Sequence, residues 1–153
     1  PMGQQQLLLL VLSTVIVGLA TVAGIQAFSE NQQQATQDAL VQRGTTIMSD
    51  IKGLAAKPSQ LGGIDLSTAS SYGDDVANIL DRLGYEDGST GDDYVPVEGA
   101  GGSAECQLGV NSGTAGVVCT SSDSPQDVKV TLNGSGNGEI STEFGSSLSV
   151  PSG

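Results

Sequence analysis

The chain has no histidine and no tryptophan, and its aromatic side chains are two Phe and three Tyr. Without histidine it lacks the side chain most often used as a general base near neutral pH, and a common zinc ligand. Basic residues are nearly as scarce. Five Lys and Arg stand against 17 Asp and Glu, a net charge of −12. Such a surface has little with which to replace phosphate counterions, so it argues against nucleic acid as a partner and repels anionic lipid. There is no GxxxxGK[ST] phosphate loop and no nucleophile beside an evident activating base. Paired acids such as Asp74-Asp75 and Asp92-Asp93 are adjacent in sequence and read as solvated. These absences predict a protein that is not an enzyme, with no cofactor, no metal site and no small-molecule substrate. An acid-rich, lysine-poor surface suits high salt, where a short Debye length quenches self-repulsion. An ordinary acidic extracellular protein is the alternative.

Cysteine is rare too. Cys106 and Cys119 do not form a CxxC pair, and no histidine can complete a zinc site with them. In a Gly-rich, strand-like segment they read as one disulfide, with two buried thiols as the alternative. A loop of this size contributes on the order of 3 kcal/mol in the chain-entropy model.

What the sequence does have is a long oily start. Residues 1 to 29 carry no ionisable side chain, and Leu7 to Phe28 is interrupted only by Ser13, Thr14, Gly18, Thr21, Gly24 and Gln26. As a helix this stretch spans roughly 33 Å, against about 30 Å for a bilayer's hydrocarbon core. The first basic residue is Arg43, so the basic n-region of a secretory signal is missing and the segment reads as retained.

The helical pattern continues past Phe28. Leu40, Ile47, Ile51 and Leu54 form one row, and Val41, Met48 and Ala55 a neighbouring row, with Gln and charged residues between them. Lys57-Pro58 ends the run. One helix of about 50 residues is expected, apolar all round in its first half and amphipathic in its second. A break near residues 29–34 is the alternative. Gly18, Gly24, Gly44 and Gly53 each weaken it by about 1 kcal/mol relative to Ala, and also permit close helix–helix approach.

The remainder reads as a small β-rich domain. Val76, Ile79, Leu80 and Leu83 give a short amphipathic helix, with Ser71 or Asp74 as cap and Gly84 at its end. "YEDGSTGDDY", Tyr85 to Tyr94, reads as a solvated acidic loop; its Asp87, Asp92 and Asp93 do not have EF-hand spacing. "YVPVE" is an edge strand marked by Pro96. "AECQLGV" and "AGVVCTS" flank "NSG" as a hairpin with the cysteines roughly opposite. "QDVKVTL" and "EISTEF" complete a meander of four or five antiparallel strands. Asn133-Gly134-Ser135 matches a glycosylation sequon on a turn. The tail, residues 146–152, is expected to be flexible or packed on a neighbour. The fold class is α+β, divided as residues 1–57, the long helix, and residues 58–153, the head.

An apolar start, a half-greasy, half-amphipathic helix and a β-rich domain with a disulfide together resemble a type IV pilin. The resemblance covers residues 1 to about 57 in pattern and the rest in architecture. It implies a subunit held in the membrane before assembly, then polymerised with identical subunits into an extracellular filament for adhesion or motility. The helices would form the core and the acidic heads the outer surface. The residues it implicates in polymerisation are Pro1, Gln4, Gln5, Gln6, Leu7, Leu10, Val11, Val17, Gly18, Gly24 and Phe28. Two positions depart from the family pattern: Pro1 stands where an N-methylated Phe or similar is usual, and Gln5 where Glu is usual. A neutral amide can hydrogen-bond an ammonium but cannot cancel its charge. The alternatives are a membrane-anchored monomeric pseudopilin or single-span ectodomain, and an archaeal-type filament protein with an all-β head. The short helix at 74 to 83 and the cysteine pair favour the bacterial-pilin architecture.

Overall fold

The computed structural model describes residues 2–66, 74–133 and 138–151. Helix α1, Met2–Ala56, is unbroken, and helix α2 is Asp74–Leu83. Five strands follow: β1 Tyr94–Pro96, β2 Glu105–Asn111, β3 Thr114–Thr120, β4 Asp127–Leu132 and β5 Ile140–Gly145. They pair antiparallel in chain order, a five-stranded meander with β1 and β5 at its edges. The expected α+β class and element order hold.

The chain divides into two compact units, Pro1–Gln34 and Ala35–Gly153. The second half of α1 falls in the second unit, with the strands and α2. In the first unit α1 is exposed on every side. In the second, the row Leu40, Ile47, Ile51 and Leu54 is buried with Met48, while Val41 and Ala55 are half-buried. α1 stops at Ala56, where Lys57 precedes Pro58 and the Lys57 amide turns back to the Leu54 carbonyl.

The sheet has two unlike faces. Cys106, Leu108 and Val110 on β2 stand opposite Cys119, Val117 and Ala115 on β3, which face Val128, Val130 and Leu132 on β4. This inner face is buried, and the second half of α1 packs on it. Gly44 is a point of close approach. A Cβ there would sit 2.7 Å from Val130 Cγ2 and 3.4 Å from Cys119 Sγ. A glycine expected to weaken the helix and to permit close helix–helix approach thus lets helix and sheet meet instead. α2 lies against β2, burying Val76, Ile79 and Leu80. It ends as its sequence predicts: Gly84 takes φ 81°, its amide donates to Asp81 O, and the Tyr85 amide donates to Leu80 O.

The outer face carries a track of glycines. Gly109 and Gly116 are directly opposed on β2 and β3, and their missing side chains leave room for Val150 and Pro151. Gly145 does the same for Leu148. Val150 is buried on its own sheet, so the tail lies on the protein itself, where flexibility or a neighbour was expected. The β2–β3 turn has positive φ at both Ser112 (49°) and Gly113 (89°), as a tight two-residue hairpin demands.

Candidate functional site

The residues singled out for polymerisation lie on one helix. Gln4, Gln5 and Gln6 occupy exposed positions near its start, and Pro1 lies outside the described residues. Leu7, Leu10, Val11, Val17 and Phe28 are 55–72% exposed. Gly18 and Gly24 face open space. The exposed side chains Leu7, Leu8, Leu9 and Leu10 are consecutive, so no single face is singled out. An amphipathic surface helix would bury one stripe; this one presents apolar side chains all round.

Two of its hydroxyls are turned inward on the backbone. The Thr14 hydroxyl donates to Val11 O (2.8 Å) and the Thr21 hydroxyl to Val17 O (2.7 Å). Both hydroxyl donors are satisfied within the helix, which lowers the cost of placing them in hydrocarbon. By length and composition α1 can cross a membrane. Sequence reading found the apolar run but not this internal satisfaction, whose signal is a Thr three or four residues after a carbonyl.

The cysteines pair as expected. Cys106 and Cys119 form a disulfide between directly opposed positions of β2 and β3, and both are fully buried. Asn133 is exposed just past β4, where its carbonyl accepts from the Gly138 amide; the rest of its sequon lies outside the described residues.

Two polar clusters in the second unit escaped the sequence reading. The first centres on Glu105, only 9% exposed at the start of β2. The Ser89 amide and hydroxyl donate to its Oε1, and the Thr90 hydroxyl to its Oε2, all at 2.6 Å. The Ser89 and Thr90 hydroxyl bonds hold the Glu105 carboxyl below its usual range, against the opposing effect of burial. Asp93 accepts from Gln107 Nε2 at 2.9 Å. The acidic loop is therefore pinned over the sheet edge by its own Ser and Thr, rather than simply solvated; Asp87 and Asp92 remain exposed. Among the described residues no group of three His, Cys, Asp or Glu converges as a metal site.

The second cluster ties α1 to the segment after α2. The Tyr85 hydroxyl donates to Asp50 Oδ2, and the Arg43 guanidinium lies 4.9 Å from the Tyr85 ring centroid. Burial, then the Asp50 hydrogen bond, raises the Tyr85 hydroxyl above its ordinary pKa. These residues line a cleft of about 390 Å³ with Glu86 and Glu98. A tyrosine held protonated beside a carboxylate is a poor nucleophile or base, and the contact works as a clasp.

No family model, curated protein or solved structure matches this chain.

Proposed function

We propose that this chain is the structural subunit of a type IV pilin-like filament. The observation that carries this reading is the all-round exposure of Leu7 to Phe28 on a helix whose continuation is packed into a folded unit. Thirteen large apolar side chains in that stretch are 52–72% exposed. Removing such side chains from water is worth roughly 1.5–3 kcal/mol each, so the stretch will not stay solvated. A bilayer satisfies it before assembly. Neighbouring copies satisfy it afterwards, and Gly18 and Gly24, with open space around them, permit close helix–helix approach. The acid-rich remainder stays wet as the outer shell.

The second reading, a membrane-anchored monomeric ectodomain, draws on Gln5, which cannot neutralise a neighbour's terminal ammonium. Against it stands the lack of basic residues between Phe28 and Arg43, where they would fix the orientation of a plain anchor.

The test is electron microscopy of material sheared from cells, with mass spectrometry of its bands. Thin, detergent-resistant fibres containing this 15.4 kDa chain are the expected result. Recovery only from detergent-solubilised membranes, without fibres, would select the anchored ectodomain.

A further inference from the structure

The inner face of the sheet is not fully covered. On β4, Val128, Val130 and Leu132 are fully buried. Their partners on β5, in register, are Phe144, Thr142 and Ile140, so these three share the same face. Yet Phe144 is 46% exposed, Thr142 is exposed and Ile140 is only half-buried. Outside Leu7 to Phe28, Phe144 and Leu61 are the large hydrophobics left exposed among the described residues.

At Gly44, α1 comes up against Val130 on β4 and against Cys119 and Val117 on β3, so it lies over those two strands there. A second helix at the usual 8–10 Å from α1 stands two strand spacings further on, which brings it over β5 and its free edge. The row it would meet, Ile140, Thr142 and Phe144, holds no ionisable group; Glu143 points to the other face.

We propose that this β5 shelf seats the apolar stretch 7–28 of a second copy of the chain. The inference rests on the filament reading and names a contact within it. Charge and length together favour one occupant. Between chains of net charge −12, residues 1 to 29 are the longest stretch of a second copy with no ionisable side chain, and so bring no acid to the contact. That stretch is also uncovered on its own chain, and its apolar side chains match a Phe- and Ile-bearing shelf.

The test uses the full chain in assembled fibres, with Phe144 replaced by the photoreactive p-benzoylphenylalanine. Heavy-nitrogen-labelled and unlabelled copies are mixed before assembly, so that crosslinks between copies are recognised by mass. Crosslinks from position 144 to peptides within residues 7–28 of the other isotope are expected. Crosslinks only to lipid, or only to other parts of the chain, in fibres that still form would overturn the seat and leave the filament standing. Absence of fibres from the unaltered chain would overturn both. As a second measurement, Phe144→Leu keeps fibre yield, while Phe144→Glu, which buries a charge in the contact, lowers it about tenfold or more. Both variants should melt like the parent chain when dispersed in detergent. Equal fibre yields from the two would also sink the proposal.

Discussion

The two halves of α1 show how one helix can hold two kinds of surface. Residues 7–28 carry Leu, Val and Ile at every angle and bury none of them. Residues 35–56 carry fewer apolar side chains, set in adjacent rows, and bury those rows against a sheet. Apolar content alone would rank the first half as the better core. Arrangement decides otherwise: an apolar stripe is satisfied within one chain, whereas an apolar cylinder needs lipid or other chains around it. The glycines divide in the same way. Gly18 and Gly24 face open space, and Gly44 lies against Val130.

The contrast can be broken most severely in the first half. Val17→Asp puts a charge into the apolar cylinder, and under the filament proposal fibres should disappear from sheared material. Head melting, followed by near-ultraviolet circular dichroism in detergent, should not change. A matching loss of head stability would mean that the halves are not independent. Next in size, replacing Cys106 and Cys119 together by Ala should cost the head on the order of 3 kcal/mol, read from denaturant midpoints. Gly44→Ala follows. Its Cβ would press on a stiff, buried Val130, and a cost of about 1–3 kcal/mol is expected from overpacking. Gly24→Ala is the paired control, because the same methyl enters open space there and head melting in detergent should not change. A loss of head stability from Gly44→Ala alone sharpens the comparison; equal losses from both would refute it.

The smallest effects are those of pH. Glu105 has its folded pKa lowered, so its contribution is present above the ordinary carboxylate range and is lost as pH falls through the folded value. Glu105→Gln should flatten the acid side of the stability profile. Tyr85 acts at the other end. Its folded pKa is raised above the ordinary 10.0, so its contribution is complete below pH 10 and declines as the unfolded state ionises. Tyr85→Phe should remove that alkaline decline.

Periodic features were legible without a structure. The rows from Leu40 to Ala55, the 74–83 helix with Gly84 behind it, the hairpin that brings Cys106 opposite Cys119, and Pro96 on an edge strand all follow from local spacing. Features that join distant segments were not. Gly44 reads as a helix weakener until Val130, far along the chain, is brought against it. The tail reads as flexible or packed on a neighbour until Gly109 and Gly116 are seen to be opposed on adjacent strands, making room for Val150. Glu105 gives no local hint that Ser89 and Thr90 will return to it, and the clasp of Asp50 with Tyr85 spans the connection that holds α2. In the apolar half, the sequence revealed the need for cover but not the inward turn of Thr14 and Thr21, nor the vacant shelf on β5.

The buried disulfide also carries a schedule. With Cys106 and Cys119 at 0% exposure and Gly44 close against Cys119 Sγ, an oxidant or exchange partner reaches the sulfurs only when α1 lifts from the sheet. Oxidation is therefore fastest while the inner face of the hairpin is still open. A chain that docks its helix before the bond forms must reopen that contact to complete it.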